Sequence, residues 1–252
     1  MGLERGVCGY TGRMGALAGR TAVVTGASRG IGAALVRALL MEGASVVGAA
    51  RGAEELARAC HPSGLPPALA VPTDVGDEES VEKLFAAAVA AHGRVDILVN
   101  AAGVLIRGPI EDLSLADWET ALRTNLTGVF LCSRAAVRVM LQQEPGPGGG
   151  RGHIVQIVSG AGVHAWVGAG AYTAAKFGVM GLSDTLREEV RGRDIKVTDV
   201  LPGMVDTAMT DHPDFAAREK LSPEDVSHVV MAALTASPRA LFKRVDLRNL
   251  GV

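Results

Sequence analysis

The stretch Thr25-Gly-Ala-Ser-Arg-Gly-Ile-Gly32 decides the fold prediction, because it joins a short apolar run to an amphipathic one. The apolar run Thr21–Thr25 predicts a buried strand, and Ile31–Glu42 has the spacing of a helix. Three glycines in the turn would let the backbone approach a ligand, and a helix N-terminus offers unpaired N–H groups and a positive dipole. Placed between a strand and a helix, the cluster predicts a dinucleotide-binding turn; alone, it would indicate only a tight turn.

The rest of the chain repeats this alternation of short apolar runs and longer amphipathic segments. The runs are rich in Val and Ile, and most lack strict alternation, which is typical of strands inside a parallel sheet that is covered on both faces. The expected strands are Thr21–Thr25, Ser45–Ala50, Leu69–Thr73, Asp96–Val99, His153–Val158, Lys196–Leu201 and Ala240–Leu247. The expected helices are Ile31–Glu42, Ala53–Ala59, Glu78–Ala91, Leu115–Gln142, Tyr172–Arg191 and Pro223–Thr235. This order predicts an α/β fold with a right-handed, doubly wound parallel sheet.

Composition places the chain among globular proteins. Of 252 residues, 48% are hydrophobic and 21% charged, which argues against intrinsic disorder. The formal charge of −2 gives no electrostatic reason to expect nucleic acid or an anionic membrane. No signal peptide or membrane-spanning run is visible. Cys8, Cys60 and Cys132 lie far apart without metal-ligand spacing, so we expect no metal site and a cytoplasmic location.

The chain is expected to contain one domain. Residues 1–19 show no clear period, and we expect them to form a flexible leader before a single domain at 20–252. Met14 is an alternative start, because the residues after it lead directly into the first strand. The stretch Pro145–Gly152 is predicted to be a surface loop, since it is rich in Gly and Pro.

Distinctive residues follow six of the predicted strands. Ligands of open parallel sheets bind beyond the carboxyl ends of the strands. The residues at those ends are Gly26, Arg51, Asp74, Asn100, Ser159 and the pair Pro202-Gly203. We therefore predict one ligand site at this edge of the sheet.

The end of the second strand favours NADP over NAD. An NAD site usually has an acidic residue about 20 residues after the glycine turn, but this strand ends with Ala50 and Arg51. Arg51, together with Arg29 of the turn, would attract a 2′-phosphate through charge-assisted hydrogen bonds. The alternative is that both arginines are ordinary solvated residues. Asp74 could accept a hydrogen bond from the adenine amino group, or it could be the N-cap of the next helix.

Ser159, Tyr172 and Lys176 form the candidate catalytic group. Tyr172 and Lys176 are spaced i, i+4, so they share one helix face. A free phenol titrates near ~10, and a nearby ammonium should lower its pKa. Ser159, at a strand end, could hold a substrate oxygen.

Taken together, these motifs resemble those of the classical short-chain dehydrogenases/reductases over roughly residues 19 to 235. The resemblance is carried by Thr25-Gly-x-x-x-Gly-x-Gly32, Asn100-Ala-Ala-Gly103, Asn125, Ser159, Tyr172-x-x-x-Lys176 and Pro202-Gly203. It implies a single Rossmann-type domain with seven strands in the order 3-2-1-4-5-6-7. It also implies NADP-dependent hydride transfer between nicotinamide and a carbonyl or secondary alcohol.

The resemblance also implies roles for individual residues. Tyr172 would be the acid in carbonyl reduction and the base in alcohol oxidation, Lys176 would bind the nicotinamide ribose, and Ser159 would polarise the carbonyl. Asn125 would bend its helix and hold a water that links Lys176 to solvent. The expected cofactor contacts are Gly26, Ser28, Arg29, Gly30, Ile31, Gly32, Arg51, Asp74, Val75, Asn100, Ala101, Gly103, Tyr172, Lys176, Pro202, Gly203, Val205 and Thr207.

The expected substrate side is mostly apolar. A short lid over residues 204–220 would cover it, and its expected lining is Ser159, Ala161, His164, Trp166, Met204 and Met209. These side chains favour a small or medium apolar ketone or aldehyde. A 3-oxoacyl thioester, a sugar or a polyol is the alternative substrate. The alternative function is a catalytically silent, NADP-binding sensor or scaffold.

Two apolar helices predict a homodimer or homotetramer. The Tyr172 helix is apolar around most of its girth, and it is expected to pack, with Leu115–Gln142, against a second subunit. The chain ends in Phe242-Lys-Arg-Val-Asp-Leu-Arg-Asn-Leu-Gly-Val252, whereas many family members end in a Val-Asp-Gly-Gly segment near a subunit interface. We therefore expect the C-terminal interface to differ from theirs.

Overall fold

The computed structural model describes residues 15–147, 149–216 and 218–250, and these form one seven-stranded sheet. All strand pairs are parallel, and the spatial order is 3-2-1-4-5-6-7. The strands are β1 (Thr21–Thr25), β2 (Ser45–Ala50), β3 (Leu69–Pro72), β4 (Ile97–Asn100), β5 (Gly152–Ile157), β6 (Ile195–Pro202) and β7 (Arg244–Leu247). The predicted doubly wound fold and the strand order implied by the family resemblance are both confirmed.

Helices cover both faces of the sheet. They are α1 (Gly30–Met41), α2 (Ala53–Cys60), α3 (Glu78–His92), α4 (Leu115–Leu122), α5 (Gly128–Gln142), α6 (Gly170–Glu189) and α7 (Pro223–Leu234). Successive residues of β1 point to opposite faces, as the strand period of two requires. Ala22 and Val24 pack with α1, α2 and α7, whereas Val23 packs with α3, α5 and α6.

A π turn interrupts the helix that we predicted over Leu115–Gln142. Residues Arg123–Thr127 form this turn between α4 and α5, and Asn125 lies inside it. Apolar residues recur without a break through the segment, so the sequence pattern alone does not reveal the wider turn.

The last strand is shorter than the predicted Ala240–Leu247. Its pairing with β6 begins only at Arg244, opposite Asp199. Upstream, the Ala240 N–H donates to the Ser237 carbonyl at 2.8 Å. The Lys196 ammonium binds the carbonyls of both residues, at 3.1 and 2.6 Å. Their backbone groups are therefore used in a turn and are not available to the sheet.

The expected flexible leader does not extend to residue 19. Leu17 is 1% exposed in the core, and its N–H donates to the Glu42 carbonyl at 2.9 Å. Burial of this leucine makes the turn at 15–19 part of the packed structure. The remainder of that expectation, with Met14 and Cys8, falls on residues 1–14, which lie outside the described residues. Within the described ranges, no helix has the length and hydrophobicity needed to cross a membrane.

Candidate active site

The turn between β1 and α1 is packed so closely that two of its glycines cannot be replaced. Gly26 has φ +67°, and a Cβ there would lie 2.8 Å from the Ala102 backbone. A Cβ on Gly32 would lie 2.1 Å from the Gly26 carbonyl oxygen. Because these glycines carry no side chain, the backbone at the start of α1 is not covered. Its N–H groups can therefore face an anionic ligand.

Thr25 ties this turn to the segment that follows β4, a role that our sequence reasoning missed. Its hydroxyl oxygen accepts hydrogen bonds from the N–H groups of Ala101 and Ala102, at 3.1 and 3.2 Å. A threonine at the carboxyl end of a buried strand is the sequence signal that could have indicated this role. The hydroxyl thereby fixes the spacing between the two loops of the site.

A cleft of about 410 Å³ opens at the carboxyl edge of the sheet. Most of the predicted cofactor residues lie around it, and the predicted substrate residue Met209 joins them. Those residues are Gly26, Ser28, Arg29, Gly30, Ile31, Gly32, Arg51, Asp74, Val75, Ala101, Gly103 and Thr207. The lining residues that we did not predict are Ala49, Ala50, Gly52, Glu55, Thr73, Ala102, Val104, Thr124 and Ala208.

Arg29 and Arg51 line this cleft, and neither has an acidic partner among the described residues. Both are exposed, and neither guanidinium forms an ion pair or a hydrogen bond within the described parts of the chain. Glu55 and Asp74 are the acidic residues that also line the cleft. The arrangement leaves two cations that can neutralise an anionic group bound at this end of the cleft.

Asp74 lines the cleft, but it is not the N-cap that we considered as its alternative role. The N-cap of α3 is Asp77, which accepts from the Ser80 N–H at 3.0 Å. Asp74 instead accepts from the Gly76 N–H and from Arg123, each at 2.9 Å. The Arg123 ion pair holds the carboxylate at the rim of the cleft, where an adenine base could reach it.

Six predicted cofactor residues lie outside the cleft lining, and two of them, Tyr172 and Lys176, are described below with Ser159. The Asn100 side chain points into the interior, where it donates to Ser133 and to Gln156 at 3.1 and 2.9 Å. Val205 is 5% exposed and packs in the core. Pro202 is buried at the end of β6, and Gly203 donates its N–H to the Leu247 carbonyl. These residues lie at or just beyond the carboxyl ends of β4 and β6, but their side chains or backbone groups face the interior.

Asn125 uses its side chain to hold the cleft wall. It is fully buried, and its Oδ1 accepts from the Val104 N–H at 3.1 Å. Its Nδ2 donates to the carbonyls of Val104 and Ala121, both at 2.9 Å. Both amide hydrogens are therefore bound to the protein, so the expected water would need another donor or acceptor of this turn.

The structure brings Ser159, Tyr172 and Lys176 together in a buried group beside the cleft. They are 5%, 7% and 4% exposed. The Lys176 ammonium lies 5.6 Å from the centre of the Tyr172 ring and donates to the Ile157 carbonyl at 3.0 Å. Ser159 Oγ accepts from the Ala161 N–H at 3.1 Å. None of the three lines the cleft itself.

Burial controls the protonation of this group, which corrects our expectation for Tyr172. Burial raises the pKa of the phenol above its ordinary value, and the hydrogen-bonding Ser159 side chain only partly opposes that effect. Burial also lowers the pKa of Lys176 to about 8. We expected the lysine to lower the phenol pKa. Removing a phenolate from water costs more free energy than the neighbouring groups offset, so the pKa is raised instead.

The predicted substrate residues divide between two surroundings. Ala161 is fully buried and packs with Tyr172, while Trp166 lies with its ring 6.5 Å from the phenol ring. His164 is exposed. Met209 lies over Gly103, whereas Met204 does not line the cleft. Leu105, next to the cleft residue Val104, packs against the Tyr172 group and so connects the two regions.

Comparison with known proteins agrees with this architecture. A family model described as short chain dehydrogenase matches residues 20–215. An uncharacterized oxidoreductase of Staphylococcus aureus strain USA300 is 34% identical over 235 residues, which cover 93% of this chain and 99% of that protein.

Two solved structures are also similar. A metagenomic short-chain oxidoreductase in complex with NADP has a TM-score of 0.79 at 33% identity, over 92% of this chain and 98% of its own. An alcohol dehydrogenase from the archaeon Thermococcus sibiricus, complexed with 5-hydroxy-NADP, has a TM-score of 0.81 at 26% identity, over 92% and 97%. The match of the family model over most of the chain, with the fold and the buried Ser, Tyr and Lys group, makes this protein a member of the short-chain dehydrogenase family of oxidoreductases.

Proposed function

We propose that the protein is an NADP(H)-dependent oxidoreductase that moves a hydride between nicotinamide and the carbon of a carbonyl or secondary alcohol. The observation that carries the proposal is the buried Ser159, Tyr172 and Lys176 group, which Leu105 connects to the cleft. A phenol that keeps its proton at neutral pH suits carbonyl reduction, because that direction needs a proton donor.

The cleft fits NADP. The glycine turn would receive the pyrophosphate, since Gly26 and Gly32 leave no room for a Cβ and the start of α1 faces the opening. Arg29 and Arg51 would bind the 2′-phosphate with their unpaired guanidinium groups. Asp74 would accept a hydrogen bond from the adenine amino group. The structural relative solved with NADP supports the same choice.

The chain's own residues then divide the work of the reaction. Bound nicotinamide would supply or accept the hydride. Ser159 would orient the carbonyl oxygen through its hydroxyl, and Tyr172 would deliver its proton to that oxygen during reduction. Lys176 would hold the nicotinamide ribose and provide positive charge beside the phenol. Asn125 would keep the Val104 wall in place.

The apolar surroundings of Tyr172 support a small or medium apolar ketone or aldehyde. Leu105, Ala161 and Trp166 pack around the phenol, and Met209 lies on the cleft side. The structural similarity to an alcohol dehydrogenase supports the CH–OH class. We keep the 3-oxoacyl thioester and the sugar or polyol as the competing substrate classes, which a turnover panel separates.

We further propose a cytoplasmic homo-oligomer. Cys60 and Cys132 are buried free thiols, which suit a reducing compartment. On α5 and α6, Phe130 and Phe177 are 41% and 48% exposed, which supports a subunit contact there.

The direct test is NADPH consumption with a panel of apolar ketones, aldehydes, 3-oxoacyl thioesters and sugars, with products identified by mass spectrometry. The proposal predicts turnover of at least one carbonyl substrate, with NADPH preferred to NADH. Tight NADPH binding without turnover on any member of the panel would favour the silent sensor instead.

A further inference from the structure

The C-terminal segment of the chain reaches the expected substrate lid through one side chain. Asn249 comes directly after Arg248 beyond the end of β7, and it is 9% exposed. Because β6 and β7 are parallel, their carboxyl ends meet at the same edge of the sheet. This topology places Asn249 beside residues 204–220, which follow β6 and which we call the lid segment.

Asn249 binds both ends of the lid segment. Its Oδ1 accepts from the Met204 N–H at 3.0 Å, and its Nδ2 donates to the Met204 carbonyl at 3.1 Å. The same Nδ2 donates to the Glu219 carbonyl at 3.1 Å. One nearly buried amide thus joins the first residue of the lid segment to its second-to-last residue.

The backbone continues this closure at the base of the lid segment. The Leu221 N–H donates to the Met204 carbonyl, and the Asp206 N–H donates to the Leu221 carbonyl, both at 2.8 Å. Gly203 fits beneath the amide because it has no Cβ; a Cβ there would lie 2.5 Å from Asn249 Oδ1. Asn249 is therefore built into the base of the loop.

The position of this base determines where the cleft side of the lid lies. Thr207, Ala208 and Met209 line the cleft, and they begin three residues after Met204. The Thr207 methyl group lies close to Gly30, at the start of α1. If the base of the lid segment opened, these three residues would move away from the nicotinamide end of the cleft. The adenosine end, formed by Arg51 and Asp74, would not change.

We propose that Asn249 is a positioning residue that clamps the base of the lid segment and so sets the lid contacts of the nicotinamide half of the cofactor. The clamp itself is a property of the chain alone. Its effect on the cofactor rests on the function proposed above.

The clamp is tested first without any ligand, by hydrogen exchange on the full chain. In Asn249→Ala, the Met204 N–H and the Glu219 carbonyl lose their partner, and amides at 205–216 should exchange about tenfold faster. Amides of α3, which follows Asp74 at the adenosine end of the cleft, should not change. Asn249→Asp, which has nearly the same size but no amide donor, should show the same pattern if the alanine variant does not fold.

Arg244→Ala, in the same C-terminal segment but without contact to the lid, is the control and should match the wild type. Unchanged exchange at 205–216 in a folded Asn249 variant would overturn the clamp.

A second experiment, which measures ligand binding, distinguishes a positioning role of Asn249 from a general loss of structure. NADPH should bind about tenfold more weakly to the Asn249 variants, whereas adenosine 2′,5′-bisphosphate, which lacks the nicotinamide half, should bind as it does to the wild type. Equal weakening of both ligands would show a structural role only and would overturn the positioning role. If wild-type protein failed to bind NADPH at all, the proposed function would fail while the exchange result still decided the clamp.

Discussion

Tyr172 and Lys176 show how burial changes the chemistry of an ordinary i, i+4 pair. Both side chains are almost completely buried, so the charged form of each is disfavoured. The phenol pKa is raised, and the lysine pKa is lowered to about 8. At neutral pH the phenol is protonated and the lysine is still mainly charged, which is the state needed to give a proton to a carbonyl oxygen.

The raised phenol pKa predicts opposite pH dependences for the two directions of the reaction. Alcohol oxidation needs the phenolate as base, so its kcat/KM should rise from about pH 7 and should still be rising at about pH 10. Carbonyl reduction needs the phenol, so its kcat/KM should stay level and then fall at the alkaline end. Steady-state rates in both directions across this range are the measurement. Oxidation that reaches its plateau below about pH 10 would show that the phenol pKa is not raised.

Arg51 is predicted to select the cofactor. Arg51→Asp replaces a free cation with an anion at the proposed 2′-phosphate site, so NADP affinity should fall at least about 100-fold. NAD affinity should change by less than about threefold. Titrations of both nucleotides give the two affinities. Arg58→Asp, on α2 but outside the cleft lining, is the control with the same charge change. Equal losses for NADP and NAD in Arg51→Asp would contradict the phosphate contact.

At the scale of elements, the π turn between α4 and α5 is the feature that places Asn125. The wider turn inserts into a helix of otherwise regular pattern and directs the amide toward Val104. π turns inside helices often occur at functional sites. Here the π turn connects the helices that cover the sheet to Val104 in the cleft wall.

Loss of the Asn125 amide should therefore weaken both the fold and the cofactor site. Asn125→Ala removes three buried hydrogen bonds, and unfolding in urea should show a loss of about 3 kcal/mol. NADPH affinity should also fall, because the cleft residue Val104 loses its hydrogen bonds to this amide. Thr120→Ala, at an exposed position of α4, is the control and should change stability by less than about 0.5 kcal/mol. An Asn125→Ala variant as stable as that control would show that the amide does not hold the wall.

At the scale of the whole molecule, the sequence predicts positions along the chain better than the directions of side chains. Strand order places Gly26, Arg51 and Asp74 at one edge, and the structure gathers them around one cleft. Asn100 and Val205 occur at the same edge, but they face the interior, because which face a residue presents at a strand end depends on local turns. The pKa of Tyr172 depends on burial by distant segments, which spacing within one helix does not reveal.

The exposed aromatic residues of α5 and α6 predict a subunit contact in a homodimer or homotetramer. Phe177→Glu places a charge in the proposed contact, so the protein should become monomeric at micromolar concentration. Sedimentation velocity distinguishes the two states. Met41→Glu, on an exposed apolar residue at the end of α1, is the control and should remain oligomeric. Wild-type protein that sediments only as a monomer would rule out the subunit contact.

The most direct test of the whole account is the rate of NADPH oxidation by Tyr172→Phe with a carbonyl substrate that the wild type reduces. The account predicts that the variant binds NADPH nearly as tightly as the wild type but oxidises it at least about 100-fold more slowly, because it lacks the proton donor. A variant that retains the wild-type rate would contradict the assignment of Tyr172 as the catalytic acid.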